Sequence, residues 1–243
     1  VAYNTLSWAR TEVVEAEVTW PNHDDRVHIV DEAGRPVPFQ VLETCISGRG
    51  TTVRVVFLAE LPACGYRTYR MLQGAGLPQI SEFQAGRTFL EGMHWRLEFD
   101  PDAGYLTKLV DRATGQDLLG GPANVPLVLS DPSDTWSHGV DSFHDEIGRF
   151  AACGSAIVEM GPVRARMLIE MEHSGSSLVQ DVRLYRDVPR IDVVLTVDYH
   201  GEHEFLKLAF PTALSETVAT YETPYGYAVR PAEGTEEPAQ KWA

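Results

Sequence analysis

The chain has 243 residues, of which 44% are hydrophobic, and its formal net charge at pH 7 is −15. This length is enough for one large β domain or two smaller ones with a buried core. The negative charge argues against nucleic acid and anionic lipid as partners, whereas a neutral sugar is compatible with it. No stretch approaches 18 consecutive apolar residues, so the sequence predicts no membrane-spanning helix.

The chain begins at Val1 without a methionine or the basic and apolar segments of a signal peptide. We therefore expect a cytoplasmic protein whose sequence continues upstream of Val1. Cys45, Cys64 and Cys153 are widely spaced and form no Cys-x-x-Cys motif. This pattern predicts three reduced thiols, buried or partly buried, with no disulfide and no zinc knuckle.

Short strand patterns separated by turn residues fill the first part of the chain. Between Val14 and Val18 every second residue is apolar, which is typical of a half-buried strand. Residues 52–58 are more continuously apolar and predict an interior strand. The spacing of these strands indicates a small β-sandwich domain over residues 1–75.

Residues 74–86 contain glycine, proline and polar residues without a period, which predicts a linker. Beyond it, residues 95–111 predict a hairpin, and residues 163–171 and 191–199 alternate over longer runs. No amphipathic helical pattern exceeds two turns. We therefore expect an all-β fold in which residues 85–243 form a larger sandwich domain, truncated at the C-terminus.

A polar segment, residues 131–148, interrupts the strand patterns and contains four Asp, one Glu and two His. A loop of this length in a β domain is usually functional. We predict that Trp136 offers a flat apolar face to a sugar ring, with Asp134 and His138 as hydrogen-bonding groups. The alternatives are a solvated acidic loop, a metal site, or two glycosidase carboxylates about 5–5.5 Å apart.

The side chains that would serve as metal ligands are Asp131, Asp134, His138, Asp141, His144 and Asp145. Their spacing fits neither an EF-hand loop nor an HExxH helix.

Aromatic and turn residues dominate the C-terminal segment. We predict that Tyr225 and Arg230 belong to a second sugar-binding loop, residues 221–230, because an arginine presents several donors to hydroxyl groups or a carboxylate. Packing beneath a long loop, with a salt bridge from Arg230 to Glu222, is the alternative. Because each loop follows an apolar strand, we expect both to converge on one end of the larger sandwich.

The chain contains no nucleophile elbow, P-loop or GxGxxG motif. The residues alone therefore assign no catalytic group.

Several stretches, spread in order over nearly the whole chain, together resemble one protein family. They are YNTLSWAR, LPACGYRTY, LEFDPDAGYLTKLVDRATGQDLL, SDTWSHG, GPVRARMLIE and YETPYGYAVRP…GTEEPAQKW. This set resembles the C-terminal β region of bacterial α-mannosidases of glycoside hydrolase family 38.

The resemblance implies a small β-sandwich followed by part of a galactose-mutarotase-like supersandwich. It implies a parent enzyme that hydrolyses terminal α-mannosides with retention, using an Asp nucleophile and zinc bound by an N-terminal catalytic barrel of the same chain. None of those catalytic or zinc motifs occurs in this sequence, so we expect this fragment to be inactive alone. The resemblance further implies that SDTWSHG and residues 225–230 correspond to the loops that approach the active site in this family.

Two other classes of function remain open at this point. One is a free-standing carbohydrate-binding module. The other is an aldose epimerase with His138 as general acid and Glu222 as general base facing one sugar. Oligomerisation of the parent enzyme is also left open.

Overall fold

In a computed structural model, the described part of the chain consists of residues 1–76, 80–134, 136, 138–140, 142–215, 218–232 and 236–243. All of its regular secondary structure is β-strand. The predicted all-β fold is therefore confirmed. Among these residues there is no helix with the length and apolar character needed to cross a membrane.

The strands, in chain order, are β1 (Ala2–Asn4), β2 (Arg10–Trp20), β3 (Val27–Val30), β4 (Pro36–Val37), β5 (Phe39–Ser47), β6 (Gly50–Leu61), β7 (Gly65–Arg67), β8 (Arg70–Gln73), β9 (Gln84–Gly86), β10 (Phe89–Glu91), β11 (Trp95–Phe99), β12 (Leu106–Asp111), β13 (Val125–Ser130), β14 (Glu146–Arg149), β15 (Ala151–Met160), β16 (Arg164–His173), β17 (Ser176–Tyr185), β18 (Ile191–Asp198), β19 (Glu204–Ala209), β20 (Val218–Thr223) and β21 (Gly226–Pro231).

Two compact units make up the chain, and each combines three stretches of sequence. The first unit consists of Val1–Arg96, Ser155–Leu168 and Gln180–Val194, and the second consists of Leu97–Gly154, Ile169–Val179 and Leu195–Ala243. This division does not follow the predicted boundaries, because two later stretches belong to the first unit. Separate domains over residues 1–75 and 85–243 remain a prediction.

The first unit is built around β6, which lies between β2 and β5 in an antiparallel sheet. Its register with β2 runs from Arg10 opposite Leu61 to Trp20 opposite Thr51. Because β6 is central, most of its side chains are buried on both faces, as its apolar sequence requires. The core around it comprises Val27, Ile29, Phe39, Val53, Val55, Phe57, Ala59 and Leu61.

Four consecutive strands form a further sheet in the order β15-β16-β17-β18. The inner strands β16 and β17 carry the buried Met167, Ile169, Leu178 and Leu184. The outer strands are more exposed, and the last five residues of β18 are all exposed.

In the second unit, β13 lies between β14 and β19. The apolar strands predicted at residues 125–129 and 205–210 correspond to β13 and β19, which pair antiparallel from Val125 opposite Ala209 to Ser130 opposite Glu204. The acidic segment connects β13 to β14. Because β14 begins at Glu146, this loop is shorter than predicted and ends at Asp145.

The segment predicted as a second loop, residues 221–230, is instead part of the hairpin β20–β21. Thr223 pairs with Gly226, so the turn between the strands contains only Pro224 and Tyr225. The prediction of a loop is wrong because short antiparallel pairing continues almost to the turn.

All three cysteines are free and exposed. The expectation of buried or partly buried thiols is therefore wrong. Cys45 and Cys153 lie on β5 and β15, which are outer strands of their sheets, and Cys64 lies in the turn before β7. Outer strands and turns have fewer packing neighbours than the central strands of a sheet, so side chains there are more often exposed.

Candidate functional site

The acidic loop is organised by the side chain of Asp134. Its Oδ1 accepts hydrogen bonds from the backbone N–H groups of Trp136, at 2.9 Å, and His138, at 3.2 Å. Its Oδ2 lies 2.8 Å from His138 Nδ1. An aspartate that binds the backbone ahead of it is typical of a tight turn. All three residues predicted in this loop are thus brought together, and the Trp136 side chain is 81% exposed.

The base of the loop is closed by backbone contacts. The N–H group of Ser130 donates to the carbonyl oxygen of Asp145 at 2.8 Å, which joins the two ends of the loop. The N–H group of Asp131 donates to the carbonyl oxygen of His203 at 2.8 Å, just before β19. The loop therefore starts from a defined position beside β13 and β19.

A cavity of about 320 Å³ lies within this loop. It is lined by Ser130, Pro132, Gly139, Val140, Ser142, Phe143, His144 and Asp145. Its volume is at the lower end of the range found for small-molecule pockets.

The other two predicted residues lie on the β20–β21 hairpin. Tyr225 is at the tip, with a backbone φ of 64° and a fully exposed side chain. Arg230 forms an ion pair with Glu237, and its guanidinium lies 5.5 Å from the centre of the Tyr221 ring. The partner of Arg230 is thus Glu237, and not Glu222 as the alternative interpretation required.

Glu222 has its own partners in the last residues of the chain. Its Oε2 accepts a hydrogen bond from the backbone N–H of Lys241 at 2.8 Å. Its backbone pairs with Gln240 and Trp242, so the C-terminal residues run beside β20. His138 is held by Asp134, and no observation supports an acid–base pair of His138 and Glu222.

The acidic loop meets the segment that follows the hairpin at Phe143 and Glu236. The Phe143 N–H donates to Glu236 Oε1 at 2.7 Å, and Lys207 Nζ donates to the Phe143 carbonyl oxygen at 2.8 Å. Neither Lys207 nor Glu236 stands out as a site residue in the sequence. The available signal is weak, a single lysine within the otherwise apolar end of β19. Convergence of both predicted loops on one pocket remains a prediction.

The metal hypothesis finds no support in the part of the loop that the structure describes. Across the described ranges, no group of three or more His, Cys, Asp and Glu side chains could hold a metal ion. Asp141, one of the candidate ligands, lies outside those ranges. The described residues therefore do not fit a zinc site, and no chemistry is assigned to a metal in this chain.

Residues 90–243 match the family model described as "Glycosyl hydrolases family 38 C-terminal domain". The chain belongs to this family, which confirms the resemblance seen in the sequence.

Known relatives agree with this assignment. The human protein "Alpha-mannosidase 2C1" is 31% identical over 211 residues, which cover 80% of this chain and 20% of the relative. The mouse protein of the same name is 30% identical over 190 residues, which cover 72% and 18%. This chain thus spans about a fifth of the length of these relatives.

"The crystal structure of an alpha-mannosidase from Enterococcus faecalis V583" aligns over 96% of this chain and 33% of that chain, with a TM-score of 0.69 and 14% identity. At this identity the similarity establishes the fold alone.

Proposed function

We propose that this chain is the non-catalytic β region of an α-mannosidase whose catalytic residues lie elsewhere in the protein. The parent enzyme hydrolyses terminal α-mannosides with retention and acts in cytoplasmic mannose metabolism. Its zinc is bound by a catalytic barrel N-terminal to this chain. Membership of the family and the names of the relatives support the class of reaction. The small share of each relative that the chain covers supports a catalytic centre outside it.

Within that enzyme, the chain supplies loops to the rim of the active site. The observation that carries this role is the exposed Trp136, held outward by the Asp134 turn. A large exposed indole loses favourable burial unless something covers it, and its flat face suits the apolar side of a sugar ring. Asp134 and His138 lie beside it as hydrogen-bonding groups. Tyr225 and Arg230 of the hairpin complete the proposed set.

The absence of catalysis in this chain is tested by comparing it with the full-length protein. We expect the full-length protein to hydrolyse an aryl α-mannoside and to lose that activity on treatment with a zinc chelator. The isolated 243-residue chain should show no hydrolysis above buffer. Hydrolysis by the isolated chain would contradict the proposal. Tight binding of the isolated chain to a glycan array would instead favour a carbohydrate-binding module.

The rim role is tested by Trp136→Ala in the full-length protein. Losing one stacked aromatic ring should lower kcat/KM for α-mannosides about tenfold. The melting temperature should stay close to that of the wild type, because the side chain is 81% exposed.

The matched control is Trp8→Ala, since Trp8 is also exposed but belongs to the first unit. Equal kinetics for wild-type protein and both variants would reject the rim role, as would a large fall in melting temperature for Trp136→Ala alone.

A further inference from the structure

Phe143, in the acidic loop, is held through both of its backbone polar groups. Its N–H donates to Glu236 Oε1 at 2.7 Å, and its carbonyl oxygen accepts from Lys207 Nζ at 2.8 Å. Lys207 and Glu236 also form an ion pair with each other. The two side chains and the Phe143 backbone thus form a closed set of three contacts.

The ring of Phe143 is held as well. It stacks on Phe205 with a centroid distance of 4.5 Å and an interplanar angle of 8°. Phe205 and Lys207 are two residues apart on β19, so their side chains project from the same face of the strand. Lys207 Nζ lies 6.0 Å from the Phe143 ring centre and 5.8 Å from that of Phe205, the outer limit of a cation–π contact.

These contacts attach the loop at a point other than its two ends. Its ends are fixed by the backbone pairing of Ser130 with Asp145, and Asp134 organises the turn around Trp136. Phe143 lies between that turn and β14. Its backbone joins the part of the loop before β14 to Lys207 of β19 and to Glu236 of the C-terminal segment.

We propose that Lys207 and Glu236 are positioning residues that fix the acidic loop, and with it Trp136, through the backbone of Phe143. The part of this inference that concerns substrate rests on the proposed rim function.

The charge of the pair alone does not account for such a role. Both side chains are about one-third exposed, and ion pairs of that kind contribute little by themselves. Removing either side chain, however, also takes a hydrogen-bond partner from the Phe143 backbone. The hydrogen bond from Lys207 is the main reason that the pKa of Glu236 lies below its ordinary value, so Glu236 is a carboxylate acceptor at neutral pH.

Hydrogen exchange in the full-length protein tests the anchoring directly. Lys207→Met and Glu236→Ala should each speed exchange of the Phe143 amide about tenfold. The reason is that each variant removes a charge-assisted hydrogen bond that restrains the backbone of the loop at Phe143. Lys207→Arg should restore protection, since a guanidinium can still reach both oxygen acceptors. The control is Lys108→Met, which breaks the exposed Lys108–Glu98 ion pair in the same unit.

The anchoring role would be overturned if the Phe143 amide exchanged equally fast in Lys207→Met, Glu236→Ala and the control. Glu236→Ala gives an independent answer if Lys207→Met does not fold.

Kinetics of the same variants separate this inference from the proposed function. Lys207→Met should raise KM for an α-mannoside about fivefold with little change in kcat, and Lys207→Arg should reverse the effect. Faster exchange with an unchanged KM would reject the rim function and the effect on substrate, while leaving the anchoring of the loop in place. Unchanged exchange would reject the anchoring whatever the kinetics show.

Discussion

Tyr225 is a residue whose backbone conformation does not suit its side chain. It occupies the second position of the turn between β20 and β21 with a φ of 64°, in the left-handed region. Proline at the first turn position and a left-handed second residue form the pattern of a type II turn, which favours glycine at the second position. A tyrosine there costs about 1–2 kcal/mol. Strain of this kind is often found at binding sites.

Tyr225→Gly should therefore stabilise the hairpin and weaken substrate binding together. The expected gain in local stability is about 0.5 kcal/mol, because relief of strain is partly offset by the greater freedom of glycine in the unfolded chain. Slower hydrogen exchange in β20 and β21 and a higher KM in the full-length protein would support this prediction.

Ser174→Gly is the matched control for Tyr225→Gly, since Ser174 also has a positive φ, of 47°, in the turn between β16 and β17. It should stabilise its own turn without changing KM. A lower KM in Tyr225→Gly would contradict a role for this side chain in binding.

Cys153 is exposed, yet its surroundings do not favour the reactive thiolate. Desolvation by the neighbouring groups raises the pKa of its thiol, and the negative charge of Glu172 raises it further. Its Sγ also donates to the Glu170 carbonyl oxygen at 3.4 Å. An exposed cysteine in an acidic environment is a poor nucleophile at neutral pH.

At the scale of elements, how well the sequence predicts a segment depends on how that segment is buried. The apolar strands β13 and β19 are predicted to within one residue at each end. β13 lies between two neighbouring strands and is mostly buried, so its sequence is continuously apolar, whereas β19 is an outer, half-buried strand whose apolar run is interrupted by Lys207. The β20–β21 hairpin has no such signal, since exposed Tyr227 and Val229 alternate with half-buried residues. The exposure of the Trp136 side chain is predictable because the surrounding loop is polar. The contact of Lys207 with Phe143 is not predictable, because it depends on the pairing of β19 with β13, which the sequence does not reveal.

The link between β5 and the β15–β16 turn depends on one glycine. Gln40 donates to Glu159 at 2.5 Å and accepts from the backbone N–H groups of Val163, at 3.3 Å, and Arg164, at 3.1 Å. A Cβ atom at Gly161 would lie 1.9 Å from Gln40 Cδ and Oε1. Any other residue at this position must therefore displace the Gln40 side chain.

We expect Gly161→Ala to lower the free energy of unfolding by about 2–4 kcal/mol, because it disrupts several hydrogen bonds of a buried amide. Denaturant unfolding at constant m-value measures this change. Gly48→Ala is the control in the same unit, since no atom lies within 4 Å of a Cβ built there. Equal stability of both variants would show that Gln40 can move without cost.

At the scale of the whole molecule, fold class and family follow from the sequence, but the joining of distant stretches into one compact unit does not. The reason is that the first unit includes strands from stretches far apart in sequence. Contacts between such distant strands produce no local sequence pattern from which they could be predicted. A network of ion pairs with alternating charge illustrates how residues distant in sequence come together in the first unit. Its members, each in contact with the next, are Glu15, Arg164, Glu159, Arg166, Asp181 and Arg183.

Asp181 makes this network sensitive to acid. Burial alone would raise its pKa, but hydrogen bonds from Arg166 and Arg183 outweigh that effect and hold the pKa below the ordinary value of 3.8. A carboxyl group whose pKa is lower in the folded state stabilises the fold above its unfolded pKa. That contribution is lost as the pH falls through the folded pKa.

Asp181→Asn should therefore lower the melting temperature at pH 7 and make it less dependent on pH below about 4. Thermal unfolding between pH 7 and pH 3 measures both effects. The exposed Asp102 provides the control Asp102→Asn. Parallel curves for wild type and Asp181→Asn would indicate that the acid sensitivity resides in other carboxyl groups.

The exposed outer strand β18 has a consequence for the colloidal behaviour of the isolated chain. Val194, Leu195 and Val197 are solvent-exposed on a strand with a neighbour on one side only in the described sheet. Such an edge can recruit the same strand of another molecule. At neutral pH the net charge of −15 opposes that encounter, but this repulsion vanishes near the isoelectric point of about 4.9. Mild acidification should therefore precipitate the isolated chain before it unfolds, and a lysine in place of Val197 should delay the onset of turbidity.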